Sequence, residues 1–283
     1  MIDTPSPNFD ERKLPINMLV LHYTGMQDAP SAIEWLANPA SKVSAHYVVT
    51  EDGQIIRMVD EADRAWHAGR SHWRGITDVN SASIGIEIVN PGHEFGYRPF
   101  PEEQMSALIP LVADIVDRYN IPRANVVGHS DIAPARKQDP GELFDWQRLA
   151  RVRLALPIPD GRLVDPYWSD GAFMLALERF GYDISDGRAA TTAFQRRWRP
   201  GTITGEIDGE CRAILFALLP DPLAACGLAG IARERNQRVR PASRSSSSAN
   251  RIARHSPSIS PVMVPGRQRR WNAVVAARPS LIS

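Results

Sequence analysis

The stretch "ASIGIEIVN", residues 82–90, alternates strictly: Ile84, Ile86 and Ile88 fall on one face, Gly85, Glu87 and Val89 on the other. Such a period of two reads as a β-strand with one side turned to a core and a lone carboxylate on its other side. Two more short apolar runs of β-character flank it along the chain, "INMLVLHY" (16–23) and "ANVVGHS" (124–130). "SAHYVVTEDGQIIRMVD" (44–60) reads as a hairpin turning at Asp52-Gly53. Between these lie helical patterns. "PSAIEWLANP" (30–39) opens with a proline suited to a helix start. "FPEEQMSALIPLVADIVDRYN" (100–120) spaces Met105, Leu108, Leu111, Val112 and Ile115 along one face, with Pro110 expected to kink the helix or delay its start. "LFDWQRLARVRLAL" (143–156) also reads as helical. Strands and helices that alternate irregularly around one hairpin predict an α/β fold, a mixed central sheet flanked by helices.

The 283 residues, 43% hydrophobic and 23% charged, suffice for one or two globular domains. "PIPDGRLVDP" (157–166) has the composition of a linker. It divides a first domain, 1–156, from a small all-α domain of three helices, 167–222, while residues 223–283 form a basic Ser/Arg-rich tail expected to be disordered. The formal charge of +1 hides a tail of +10 from Ile231 onward, which leaves −9 on residues 1–230 and argues against nucleic acid as a partner. Cys211 and Cys226 make neither a disulfide framework nor a C-x-x-C metal motif. No apolar run is long enough for a membrane span, and the start, "MIDTPSPNFDERKLP", lacks the apolar region of a secretory signal, so a cytoplasmic location is the expectation. No obligate protein partner is evident.

The densest chemistry is in "GHSDIAPARKQDPG" (128–141), which puts His129, Lys137 and Asp139 in one loop. His22 sits at the end of another apolar run, "LVLHYTG". Two imidazoles and one carboxylate can hold Zn²⁺ and leave a fourth position for water. Spacing alone leaves that reading level with a plainer one, in which both histidines are hydrogen-bonded residues at strand ends.

"LVLHYTG", "SAHYVV", "RAWHAG", "IGIEIVNPG" and "GHSDIAPARKQDPG" together resemble the N-acetylmuramoyl-L-alanine amidase family, the amidase-2 or peptidoglycan-recognition fold with its AmpD-like and AmiD-like bacterial enzymes. The resemblance runs from about Met18 to Leu149 with the motifs in the family's order. It implies zinc ligands at His22, His129 and Asp139, a catalytic Glu87 and a Lys137 beside the developing oxyanion. Glu87 on an ordinary solvated sheet face and Lys137 as an exposed loop lysine are the plainer alternatives. Trp66 and His67 are expected to line a substrate groove, Asn90 to hydrogen-bond the peptide stem, and His46 to be structural. Arg136, His72, His93 and His255 are given no role.

The second half resembles the peptidoglycan-binding type 1 module, through Phe180-Gly181-Tyr182 and Ala193-Phe194-Gln195. Its third hallmark departs from the pattern as Asp208-Gly209-Glu210-Cys211, without the usual threonine, so a helical appendage that only stabilises the first domain stays open. The expected activity is zinc-dependent hydrolysis of the amide between N-acetylmuramic or anhydro-muramic acid and L-Ala, acting on peptidoglycan or its muropeptide fragments. A non-catalytic peptidoglycan-recognition protein on the same fold, or a zinc peptidase cutting within the stem, are the alternatives.

Overall fold

The computed structural model describes residues 1–219, so the expected tail and the last residues of the helical unit lie outside the described residues. Strands β1 (Ile2–Asp3) and β2 (Phe9–Glu11) precede β3 (Met18–Tyr23) and helix α1 (Ala29–Ala37). β4 (Tyr47–Val49) and β5 (Ile55–Arg57) form the expected hairpin, followed by β6 (Asp63–Ala65), the short helix α2 (Val79–Ala82) and β7 (Ser83–Ile88). Then come α3 (Gly92–Phe95), α4 (Glu102–Tyr119), β8 (Val126–Gly128), α5 (His129–Ile132) and α6 (Trp146–Arg151). The last three helices among the described residues are α7 (Asp170–Phe180), α8 (Gly187–Trp198) and α9 (Gly209–Leu218).

Six strands form one sheet in the order β1-β5-β4-β7-β3-β8, and β2 pairs with β6 apart from it. The sheet is mixed, as expected: β4 and β5 are antiparallel, while β4, β7, β3 and β8 run parallel. The strands of the parallel block are interior to the sheet or capped by other layers, hence their apolar runs. One face carries Leu19, Leu21, Tyr47, Val49, Ile84, Ile86, Ile88 and Val126, all buried against α4 and the segment around Phe144, Trp146 and Leu149. Each fully buried Leu or Ile there contributes about 1.5–3 kcal/mol. The opposite face is shared. Its β4 side, with Val48 and Val89, packs under Leu36 of α1. Its β3–β8 side, with Met18, Val20 and Val127, belongs to a cluster that includes Ala68, Trp73, Val79 and Ile132 and continues into the final helices, where Trp73 meets Phe180 and Tyr182 edge-on. The stretch 157–166 therefore joins two units whose apolar residues form one continuous cluster.

Two helices differ from expectation. α4 starts at Glu102 with no delay and continues past Pro110, which stands on the exposed side where the chain tolerates a missing N–H. The 143–156 pattern gives only the six residues of α6, started by Asp145, which accepts a hydrogen bond from the Arg148 N–H. Arg153 takes a positive φ that ends helical continuation, and Leu154 and Ala155 are buried as loop instead.

Gly85 on β7 is needed for close approach: a Cβ built there would overlap the His67 ring. Replacing Gly85 with Ala must push that ring or the strand aside. Urea denaturation should show a loss of about 1–3 kcal/mol; wild-type stability in Gly85→Ala would mean the ring is not held there.

Candidate functional site

Strand register brings the candidate residues together. β3 and β7 pair in parallel with His22 opposite Glu87, so both side chains leave the same face of the sheet. β3 and β8 pair through Leu21 and Gly128, and His129 follows at once as the first residue of α5. Three neighbouring strands thus deliver Glu87, His22 and His129 at their carboxyl ends. Asp139 enters from the loop after α5, where its carbonyl accepts the Ser130 N–H at 2.8 Å.

The Nδ1 atoms of His22 and His129 lie 2.9 Å apart, and Asp139 Oδ2 is 3.1 Å from the first and 3.0 Å from the second. All three side chains are buried, and these ligand atoms are placed to hold a metal ion. His129 turns its other nitrogen outward, donating from Nε2 to the Ala68 carbonyl at 3.1 Å, so its Nδ1 lone pair faces the centre. His22 Nε2 points away from the centre to His67 Nδ1 at 3.0 Å. Burial, reinforced by His129, lowers the His22 pKa to about 4, so its ring is neutral at pH 7. Burial alone would raise the Asp139 carboxyl; the adjoining His129 and His22 outweigh it and hold Asp139 ionised below the usual range.

A cleft of about 380 Å³ opens above this group. Glu87, Lys137, His129 and Asp139 line its floor, and Trp35, Leu36 and Val43 form an apolar wall together with Trp66. Glu87 Oε2 is buried without a hydrogen-bond partner. Burial raises its pKa well above the ordinary carboxylate value, the charge of Asp139 raises it further, and Lys137 opposes both. A basic carboxylate with an unclaimed oxygen beside a metal-competent centre is equipped to take a proton from water.

The remaining expectations fare differently. Trp66 stands half-buried in the cleft wall. His67 lines the cleft too, with its ring nitrogens turned to His22 and to Ser83 Oγ at 3.2 Å. Burial and the neighbouring His22 and His46 hold the His67 pKa well below its usual value, leaving a neutral ring. Asn90 is 1% exposed and is not among the residues lining the cleft; its Nδ2 donates to the Arg98 carbonyl and its Oδ1 accepts the Gly92 N–H. His46 is structural in this geometry, its Nδ1 accepting the Gly85 N–H at 2.9 Å.

Sequence reasoning missed several contributors. Arg136 donates through Nη2 to the carbonyls of Ala68 and Arg70, and so steadies the carbonyl that orients His129. Arg12 donates to the backbone carbonyls of Ser81, Ser83 and Asp63, pinning the start of β7. Trp35, 47% exposed at the cleft, carried one available signal: a tryptophan set beside the buried stripe of its helix.

The final helices support the centre from behind. Asp131, two residues after His129, accepts the Gly128 N–H through Oδ2 and the Tyr182 hydroxyl through Oδ1 at 2.6 Å. Arg197 lies over the Trp146 ring, and Arg196 donates to Glu142 and to Gln138 on the loop that carries Asp139. Replacing Tyr182 with Phe should strand a buried Asp131 oxygen and cost about 1–3 kcal/mol in denaturant unfolding; an unchanged midpoint would remove this hydrogen bond from the supporting structure.

The family described as N-acetylmuramoyl-L-alanine amidase matches residues 12–142. The chain is 41% identical over 231 residues to N-acetylmuramoyl-L-alanine amidase AmiD of Escherichia coli strain K12, covering 72% of this chain and 82% of the relative. It superposes with TM-score 0.65 and 37% identity on a solved complex of AmiD from E. coli with the substrate anhydro-N-acetylmuramic acid-L-Ala-D-gamma-Glu-L-Lys, covering 75% of this chain and 97% of that one. AMPDH3 from Pseudomonas aeruginosa in complex with anhydromuramic pentapeptide superposes with TM-score 0.59 and 30% identity, covering 76% and 94%.

Proposed function

Because the chain belongs to the N-acetylmuramoyl-L-alanine amidase family, we propose that the centre formed by His22, His129 and Asp139 holds zinc and that the cleft above it hydrolyses the amide joining a muramic acid lactyl group to L-Ala. The observation that carries this reading is the placing of Glu87 on the rung next to His22, beside three convergent ligand atoms.

The donor set fits the metal. Two imidazole nitrogens and one carboxylate are zinc donors, and their separations of 2.9–3.1 Å are near the roughly 3.3 Å between tetrahedral ligands on zinc. Zinc bound there supplies a Lewis acid that polarises the amide carbonyl and acidifies water. The chain's own groups supply the rest. Glu87 accepts a proton at Oε2 from the attacking water and returns it to the nitrogen of the departing L-Ala, so that water and amide leave as carboxylic acid and amine. The Lys137 ammonium on the cleft floor balances charge that develops on the amide oxygen. Trp35 and Trp66 offer flat apolar surfaces against which a sugar ring or lactyl methyl packs.

Anhydro-muropeptides are the proposed substrates; the reading is supported by the two solved relatives, each holding an anhydromuramyl peptide. A recognition protein without activity is the weaker reading, since the ligand triangle and Glu87 are complete. For the final helices, the shared core and the Tyr182–Asp131 bond favour a supporting role over glycan binding alone.

Metal analysis should find about one zinc per chain, and incubation with anhydro-muropeptides should release free stem peptide detectable by mass. Unchanged muropeptides with zinc-loaded protein would sink the activity. Glu87→Gln should keep its zinc while turnover falls roughly 10²–10⁴-fold; full turnover in that variant would take Glu87 out of the reaction. His129→Ala and Asp139→Ala should instead emerge without metal.

A further inference from the structure

The hydrogen-bond chain behind His22 has a direction that the atoms themselves impose. Ser83 Oγ lies 2.6 Å from the Val79 carbonyl, which can only accept, so the serine proton is committed there. Toward His67 Nε2, 3.2 Å away, Ser83 Oγ can then only accept, and that nitrogen carries a hydrogen. A neutral His67 ring with its proton on Nε2 presents a lone pair at Nδ1. With a metal on the His22 Nδ1 lone pair beside His129 and Asp139, His22 would carry its proton on Nε2 and donate it to that His67 lone pair, 3.0 Å away.

The ring that passes this order on is itself locked. The backbone N–H groups of His67 and Ala68 both donate to Asn80 Oδ1, at 3.1 and 2.7 Å. The absent side chain at Gly85 leaves the space the ring fills, and Ser83 is wholly buried. Metal-binding histidines usually donate their second nitrogen directly to a carboxylate or a backbone carbonyl, as His129 does. His22 reaches its carbonyl through two intervening side chains.

We propose that His67 and Ser83 are positioning residues for the metal centre, relaying the acceptor character of the Val79 carbonyl to His22 so that its lone pair faces the metal. The proposal rests on the reading of His22 as a ligand. Its test separates the two, because one arm is read on metal-free protein.

In that arm, ¹⁵N spectra of the apoprotein at neutral pH should show His67 as the Nε2–H tautomer, and Ser83→Ala should erode that preference. An Nδ1–H tautomer for His67 in the wild type would overturn the relay whether or not the protein binds zinc. In the second arm, zinc affinity is measured by chelator competition. His67→Phe keeps a flat ring but no acceptor, and should bind zinc roughly 10–100-fold more weakly. His67→Gln, whose amide oxygen can accept from His22, should recover most of that loss. Equal zinc affinity in wild type, His67→Phe and Ser83→Ala would overturn the proposal, and so would a Gln variant as weak as the Phe variant when both apoproteins melt at the same temperature.

Discussion

The parallel, in-register pairing of β7, β3 and β8 is the constraint on which everything else depends. Side chains along a strand alternate between faces, so a slip of one residue would send Glu87 into the core under α4 and bring Ile86 or Ile88 to the cleft. Leu19, Leu21, Ile84, Ile86 and Ile88 make such a slip prohibitive, because each would lose its buried place at once. The apolar face thus fixes the polar one. His22, Glu87 and the start of α5 need no local strain to meet, since they are consequences of which residues the opposite face buries.

On the polar face the problem is to keep several titratable groups close together and dry. Three imidazoles, those of His22, His46 and His67, are buried within reach of one another, and burial keeps the pKa of each well below the usual value. Their neutrality removes mutual repulsion and leaves lone pairs that must each find a donor or a metal. Asp139 is the one carboxylate among them held firmly ionised, while Glu87, displaced toward the cleft, is held basic by burial and by Asp139 itself. Two carboxylates a short distance apart take different tasks because their neighbours differ.

Much of this was legible in the order of residues. The alternation of "ASIGIEIVN" and the apolar run ending at His22 give the strands and the side on which Glu87 stands, since a period of two leaves no other arrangement. Other features were out of reach for identifiable reasons. Ser83 and His67 lie sixteen residues apart, and nothing near either signals their contact. Arg136 reaches a carbonyl sixty-eight residues away, so local reading gave it no role. The segment 143–156 looked helical because its apolar residues are buried, yet Leu154 and Ala155 achieve burial as loop. Likewise the Pro/Gly/Asp-rich stretch 157–166 announces a connection, while composition is silent on whether the cores it joins will merge.

That merger sets a timetable for synthesis. The groups around the metal centre come from residues 22, 67, 87, 129 and 139, and their rear support comes from 182, 196 and 197. Contacts of such wide separation close late, after the loops between them have been ordered. As the chain leaves the ribosome from its amino end, the sheet and its ligands emerge well before Tyr182 and Arg197 exist to hold them. The ring of Trp73, which meets Phe180 and Tyr182, lacks those partners through that interval. Synthesis of α7, α8 and α9 is therefore the step that closes the rear of the vessel for its metal.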